Sequence, residues 1–419
     1  MFRSGFFKSV ITLLSGSATA QIIMVLSYFI IARWFGPDFI GEIRVFASIT
    51  LIGALLVNGG YELAIMLPSR SADSLQLLKL CFRILLVSLL IMAPIGFFLS
   101  GQIAVLLKAP ALNLWAKILP FSIFMEGAIN LLHQFLVRNK KYKNLSFALL
   151  SYAIVYAIIA LPGVYTTTNI NWLFTALVIS QLVKLVFYFV SFLKVKNNTG
   201  GVPKSRKELA SKYIDYPLFH LGSGAANMAS REMVVPMLSS YFGAGAAGLY
   251  SMSIQILYLP MRFLTQAVPQ VFYQRIAKAR NLGIKYVRRE TLTALSFLLL
   301  VSAIPTFILA LFGPDLFAWA LGEKWRASGE FIKWLAAFAV VGSVVSPLTS
   351  LMNVNFKLRA FFIFNVLLLV SRLGAIAIGA KMGGAQIAIA YYGLAAFIGA
   401  IMLGVWLFVL SGIIKIQRK

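Results

Sequence analysis

The sequence predicts an all-α integral membrane protein with about twelve transmembrane helices, arranged as two parallel-repeat six-helix lobes around a central cleft. Composition, long apolar runs and an internal repeat together predict this architecture. Hydrophobic residues make up 60% of the 419 residues and charged residues only 12%, whereas a soluble domain has about 25% charged residues. Because each span requires about 20 apolar residues, the predicted helices leave short loops and no room for a soluble domain.

Apolar runs between polar breaks indicate where the helices lie. The N-terminal run has no convincing cleavage site before the next polar turn, so we interpret it as the first span and not as a signal peptide. The predicted helices cover residues 6–32, 40–66, 77–100, 113–136, 145–165, 171–193, 213–241, 247–271, 291–312, 328–353, 360–381 and 386–411.

The charge distribution predicts the orientation of these helices. The chain has 38 Lys and Arg residues against 12 Asp and Glu residues. Cytoplasmic loops of membrane proteins carry an excess of Lys and Arg, which explains the basic charge better than nucleic-acid binding does. With a cytoplasmic N-terminus, 26 of the 38 basic residues fall on cytoplasmic segments. We therefore expect both termini in the cytoplasm and no nucleic-acid partner.

An internal repeat supports a division near the midpoint of the chain. The motif WFG at 34–36, followed by Gly41, recurs about half the chain later as YFG at 241–243, followed by Gly248. Both halves begin on the same side of the membrane and hold six predicted helices, so the repeat is parallel. Repeated halves around a central site are typical of transporters.

The longest polar connection, residues 194–212, contains Gly, Pro and a run of basic residues. Such a composition is typical of a linker. We therefore predict an N-terminal lobe over 1–193, a cytoplasmic linker over 194–212, a C-terminal lobe over 213–411 and a cytoplasmic tail over 412–419.

Several kinds of chemistry have no signature in the sequence. No GxxxxGK[ST] phosphate-binding loop occurs, and the single cysteine, Cys81, excludes a disulfide framework and a multi-cysteine metal site. The predicted outer connections are short, which argues against a catalytic loop. We therefore expect a protein that is not an enzyme and needs no cofactor or metal.

Basic residues inside predicted spans are the first candidates for a binding site. A charge at the bilayer centre costs about 3 kcal/mol, so it normally faces a bundle interior or a water-filled cavity. Arginine forks match phosphate oxygens in bidentate geometry, which favours an anionic substrate. Pairing with acids inside the bundle is the alternative. The candidate substrate-binding residues are Arg231, Arg262, Arg372, Arg44 and Lys184.

Acidic residues inside predicted spans are candidates for ion coupling. Burial raises the pKa of a carboxyl group and allows protonation near neutral pH. Glu62, Glu126 and Glu232 are these candidates, for a proton or a sodium ion. Structural pairing with a basic residue is the alternative for each.

Four segments carry a resemblance to a known family. They are GSATAQIIMVLSYFIIARWFGPDFIGEIRVFASI at 16–49, YELAIMLP at 61–68, RNKKY at 138–142 and LSSYFGAGAAGLYSMSIQILYLPMRFLTQAVPQVFYQRIA at 238–277. They resemble Wzx-type polysaccharide flippases of the multidrug/oligosaccharidyl-lipid/polysaccharide exporter superfamily, and the resemblance spans nearly the whole chain. In the family pattern a basic residue often precedes the Tyr-Glu pair, whereas this chain has Gly60.

The resemblance implies a function in the bacterial inner membrane. It implies transfer of an undecaprenyl-diphosphate-linked oligosaccharide, a repeat unit of O-antigen, capsule or exopolysaccharide, from the cytoplasmic to the periplasmic leaflet by alternating access. Some family members use an ion gradient, so H⁺ or Na⁺ is an expected partner. Membrane lipids and the glycan polymerase and chain-length machinery are the other implied partners.

Three alternative functions stay open from the sequence. A multidrug exporter of the same superfamily should favour an acidic cavity, since many drugs are cationic. A peptidoglycan-precursor exporter is similar but carries two further helices. A membrane glycan polymerase or transferase would need a longer outer loop than any predicted here.

Overall fold

The computed structural model describes residues 3–166, 169–195, 205–259, 284–346 and 358–410. Within these ranges every regular element is helical and no strand occurs, which confirms the predicted all-α membrane class. Nine helices of the described ranges are long and apolar enough to cross a membrane, namely Ser17–Trp34, Pro37–Leu56, Ser71–Phe98, Tyr142–Gly163, Asn171–Leu193, Leu295–Leu321, Glu323–Val345, Arg359–Met382 and Ala385–Leu407.

The chain divides into two compact units, and Met1–Gly245 forms the first. A π-helical turn spans Tyr216–Leu221 within it. Its α-helices are α1 (Arg3–Trp34), α2 (Pro37–Leu56), α3 (Tyr61–Ala64), α4 (Ser71–Phe98), α5 (Ser100–Leu106), α6 (Leu112–Trp115), α7 (Leu119–Arg138), α8 (Tyr142–Thr166), α9 (Asn171–Leu193), α10 (Arg206–Lys212), α11 (Gly222–Glu232) and α12 (Val234–Phe242).

Helix α2 has a central position in the packing of the first unit. It contacts α7 on one side and both α11 and α12 on another, while α8 packs between α1 and α9. Phe46 of α2 is fully buried and meets Phe174 of α9 edge to face at 5.4 Å. Trp115 stacks on the same Phe174 ring at 4.9 Å. These aromatic contacts fix α2, α6 and α9 relative to one another.

Ala246–Lys419 forms the second unit. Its described helices are α13 (Ala244–Leu259), which begins at the unit boundary, α14 (Ile284–Leu321), α15 (Arg326–Val345), α16 (Leu358–Met382) and α17 (Ala385–Leu410), with a 3₁₀ turn at Glu323–Trp325. Helix α15 packs against both α14 and α17, and α16 packs against α17.

Small residues allow the close packing around α15. A Cβ atom added at Gly329 would lie 2.2 Å from the backbone nitrogen of Pro314, and one added at Gly393 would lie 2.3 Å from the carbonyl oxygen of Trp334. Backbones can approach this closely only where side chains are absent, which is how membrane helices gain contact area.

Three predicted helices are divided within the described residues, and one of them, 113–136, is split into α6 and α7. The predicted helix 40–66 ends at Leu56, because Gly59 and Gly60 adopt positive φ angles of 64° and 77° before α3 begins. The predicted helix 213–241 is divided into the π-helical turn, α11 and α12. Pro236 lacks the N–H group that would bond the carbonyl of Glu232, which explains why α11 ends at Glu232 and α12 begins at Val234.

The predicted lobes over 1–193 and 213–411 and the central cleft stay predictions. Helix α10 lies within the predicted linker and helices α11 and α12 follow it, but all three contact α4 or α2 and belong to the first compact unit. Residues 196–204 of the linker and the tail at 412–419 lie outside the described residues.

Candidate functional site

Arg44 lies inside the first unit on α2, two turns after the helix begins at Pro37. Its Nη2 atom is 3.8 Å from Oε2 of Glu232 on α11, and the two side chains are 30% and 23% exposed. The Nε atom of Arg44 is buried and has no hydrogen-bond partner within the described residues. The guanidinium group therefore has an ionic neighbour, but among the described residues no group accepts a hydrogen bond from it.

Glu232 is held by a second residue of α2. The hydroxyl of Ser48 donates a hydrogen bond to Oε2 of Glu232 over 2.9 Å, and Ser48 is fully buried. Ser48 follows Arg44 by four residues, so both side chains lie on the same helix face. Helix α2 thus presents a charge and a hydroxyl to one carboxylate of α11.

A second charged pair connects α7 and α9. The Nζ atom of Lys184 lies 3.9 Å from Oε1 of Glu126, and both side chains are largely buried. Gln181 donates a hydrogen bond from Nε2 to Oε2 of Glu126 over 3.2 Å. The Lys184 ammonium also lies 5.6 Å from the ring centroid of Tyr152. Glu126 therefore has an ionic partner and a hydrogen-bond donor.

Two tyrosines lie within electrostatic range of these charged pairs. The charge of Arg44 acts on the hydroxyls of both Tyr28 and Tyr152, and Tyr152 also interacts with the charge of Glu126. The Tyr28 hydroxyl is buried without a hydrogen-bond partner among the described residues. We call the six residues Arg44, Ser48, Glu126, Gln181, Lys184 and Glu232 the charge network of the first unit.

The other predicted basic residues lie apart from this network. Arg231 is exposed and forms no ion pair with any described residue; its sequence neighbour Glu232 pairs with Arg44 instead. Arg262 lies outside the described residues. Arg372 belongs to the second unit, where it is buried with its Cζ atom 5.1 Å from the ring centroid of Phe338.

Glu62 has a different environment from the other acids. The sequence predicts it within the span 40–66, but the structure places it in α3, in the connection between α2 and α4. Its side chain is buried, and Oε2 has no hydrogen-bond partner among the described residues. Burial raises the pKa of this carboxyl to about 7, although backbone N–H groups of Glu62 and Gly60 act in the opposite direction.

The surroundings of Glu62 are apolar. A buried cluster of Tyr61, Ala64, Ile65, Leu77, Leu78, Cys81, Leu131, Phe135 and Leu209 surrounds α3. The Tyr61 hydroxyl donates to the carbonyl of Ala210 over 3.2 Å, which connects α3 to α10. No basic residue forms an ion pair with Glu62 in the described part of the chain. Desolvation is therefore the main influence on the pKa of its carboxyl group.

Sequence reasoning found the charges of the network but missed its neutral members. Ser48 and Gln181 lie four residues after Arg44 and three residues before Lys184, respectively. Polar residues at these spacings share a helix face with the charge, so helical periodicity could have identified them. The arrangement can bind an oxyanion at Arg44. No group of three or more metal-ligating residues occurs in the part of the chain that was described.

The sequence is similar to a known protein family and to a known protein. Residues 30–330 match the family model described as polysaccharide biosynthesis protein. The lipopolysaccharide biosynthesis protein WzxC of Escherichia coli (strain K12) is 24% identical over 159 residues, which are 38% of this chain and 32% of that protein. The chain therefore aligns with about a third of the length of that relative.

Two solved structures share the fold over nearly the whole chain. An inward-facing multidrug resistance MATE family transporter of the MOP superfamily has a TM-score of 0.73 at 15% identity and covers 98% of this chain and 100% of its own. The lipid II flippase MurJ in an inward closed conformation also has a TM-score of 0.73, at 11% identity, and covers 96% and 88%.

Proposed function

The chain belongs to the polysaccharide biosynthesis protein family, and from this premise we propose that it flips an undecaprenyl-diphosphate-linked oligosaccharide across the bacterial inner membrane. The resemblance to Wzx-type flippases of the MOP superfamily agrees with the family match and with the transporter fold. The passenger is a repeat unit of O-antigen, capsule or exopolysaccharide. It moves from the cytoplasmic to the periplasmic leaflet by alternating access, and both termini of the protein are cytoplasmic.

The observation that carries the proposal is the position of Arg44. Its guanidinium lies inside the first unit, with a loose ionic contact to Glu232 and a buried Nε atom that donates to no described residue. Guanidinium groups bind phosphate oxygens through two parallel hydrogen bonds. A diphosphate headgroup carries negative charge through the membrane only if such groups compensate it.

The remaining basic candidates extend this role. Lys184 lies close to Tyr152, whose hydroxyl also interacts with the charge of Arg44. Arg231 is exposed and carries a charge that no described acid neutralises. Arg262 and Arg372 would supply further positive charge from the second half of the sequence. We propose that these four residues bind anionic groups of the diphosphate or of acidic sugars.

For ion coupling we assign the proton to Glu62. Glu126 and Glu232 each have a basic partner and a hydrogen-bond donor, whereas Glu62 is buried among apolar residues. A carboxyl whose pKa is raised to about 7 changes protonation near neutral pH. The glycan polymerase and chain-length machinery would act on the flipped product.

Deletion of the gene and complementation with variants tests this function. We expect loss of surface polysaccharide and accumulation of the lipid-linked intermediate, restored by wild type and not by Arg44→Gln at equal protein level. Arg83→Gln is the matched control, because Arg83 is exposed on α4. Unchanged surface polysaccharide after deletion would refute the function. Full rescue by Arg44→Gln would refute only the role of Arg44.

A multidrug exporter is the second candidate, because a MATE family transporter matches the fold as well as the lipid II flippase does. A peptidoglycan-precursor exporter is the third, and a membrane glycan polymerase or transferase comes from another class. Increased sensitivity of the deletion strain to cationic dyes, with normal surface polysaccharide, would favour the drug exporter. The positive charge of Arg44 inside the first unit argues against that outcome.

A further inference from the structure

We propose that Glu232 is an internal competitor for the substrate: its carboxylate neighbours Arg44 in the substrate-free protein, and one oxyanion of the substrate displaces it. This inference rests on the proposed function and extends it. Arg44 would bind the anion, while Glu232 would set the affinity and promote release. Ser48 would position Glu232 for this role.

The distance between the two charged groups supports displacement. Charge-assisted hydrogen bonds have donor–acceptor distances of about 2.7–2.9 Å, whereas Nη2 of Arg44 lies 3.8 Å from Oε2 of Glu232. The contact is therefore an ion pair without a hydrogen bond. A substrate oxyanion that accepts two hydrogen bonds from Arg44 would bind this group better than Glu232 does.

The position of Glu232 depends on Ser48 more than on Arg44. The Ser48 hydroxyl donates over 2.9 Å to the same Oε2 atom that faces Arg44. Because Ser48 is fully buried, it fixes the carboxylate at this distance. An incoming oxyanion therefore replaces Glu232 as the ionic neighbour of Arg44, while the hydrogen bond to Ser48 keeps the carboxylate close enough to return on release.

Two buried donor atoms of the first unit have no described hydrogen-bond partner. The Tyr28 hydroxyl interacts with the charge of Arg44 and has no hydrogen-bond partner among the described residues. The buried Nε atom of Arg44 likewise donates to no described residue. Buried polar groups are normally hydrogen-bonded, so both atoms favour a ligand that accepts hydrogen bonds.

A nearby carboxylate has a functional advantage for a transporter. A substrate that binds too tightly in one state is released slowly, and a like charge near the bound anion opposes this. Glu232 would lower the affinity of Arg44 for the oxyanion and take its place again on release. The ligand class is a lipid-linked phosphate or diphosphate.

Binding of farnesyl diphosphate to the purified full-length chain tests the inference. We expect Glu232→Gln to tighten binding by roughly fivefold, the effect of an ion pair of this exposure, and to lower turnover at saturating substrate. Ser48→Ala should act in the opposite direction, because Glu232 without its hydrogen bond can approach Arg44 more closely. A merely structural role would weaken binding in both variants.

Glu42→Gln is the matched control, since it also removes one negative charge and lies on the same helix as Arg44. Glu42 accepts from the backbone N–H of Ala111 over 2.6 Å and lies outside the charge network. Suppose that the wild-type chain binds farnesyl diphosphate and that Arg44→Gln abolishes this binding. If Glu232→Gln then binds no more tightly than wild type, the inference is overturned while the proposed function stands. If the wild-type chain neither binds nor moves a prenyl diphosphate, the proposed function fails and the inference fails with it.

Discussion

Arg44 and Glu232 lie 3.8 Å apart between α2 and α11, and Ser48 of α2 donates a hydrogen bond to the same carboxylate oxygen. Charge and apolar context identified Arg44, Lys184, Glu126 and Glu232 as unusual. Their pairing could not be predicted, because Arg44 and Glu232 are separated by most of the first unit in sequence and meet only through the packing of α2 against α11. The sequence therefore predicts which charges matter but not which of them are neighbours.

The buried carboxyl of Glu62 should make the stability of the protein depend on pH. Burial raises its pKa from the ordinary 4.5 to about 7, so folding favours the protonated carboxyl. The stability from this group is fully present below pH 4.5 and is lost as the pH rises to about 7. We expect the unfolding temperature of wild type to fall relative to Glu62→Gln across this window. Thermal denaturation in detergent measures it.

The same experiment has an internal check. Above about pH 7 the carboxyl is ionised in both the folded and the unfolded chain, so the difference between the two proteins should become constant. Parallel curves from pH 4.5 to 8 would show that Glu62 does not titrate in this window and would remove it as the coupling residue.

At the scale of elements, the junction between α3 and the π-helical turn was not predictable from periodicity. Residues 40–66 form one apolar run in sequence, and an uninterrupted helix is the simplest interpretation. The structure ends α2 at Leu56 and turns the chain at Gly59 and Gly60. The π-helical geometry of Tyr216–Leu221 has no periodic signature, and such segments frequently occur at functional sites.

Gly60 is the position at which this junction can be tested. Its φ angle is 77°, and an added Cβ atom would lie 2.8 Å from Cβ of Leu221 and 3.1 Å from Cα of Pro217. Gly60→Ala should therefore strain the backbone and push α3 from the π-helical turn, lowering stability by about 1–3 kcal/mol.

Thermal denaturation and the yield of folded protein measure this effect. Gly36→Ala is the matched control, because Gly36 has a negative φ of −77° and open space around an added Cβ atom. Equal stability of Gly60→Ala and wild type would show that the junction tolerates a side chain and is not tightly packed.

At the scale of the whole molecule, composition and hydropathy were sufficient for the fold class. A chain with 60% hydrophobic residues and so few charges can satisfy its backbone in lipid only as helices or as a closed barrel, and the apolar runs have helical length. The internal boundary at Gly245 reflects contacts of α11 and α12 with α2. A sequence repeat or a polar linker does not reveal such long-range contacts, so neither feature predicts this boundary.

The central claim is that this protein moves a diphosphate-linked lipid across the membrane with Arg44 binding its charge. Proteoliposomes with a fluorescent short-chain prenyl-diphosphate sugar test it, because a membrane-impermeant quencher reports the label in the outer leaflet. We predict that the wild-type chain exposes label from the inner leaflet and that Arg44→Gln does not. Movement no faster than in protein-free vesicles would contradict the account.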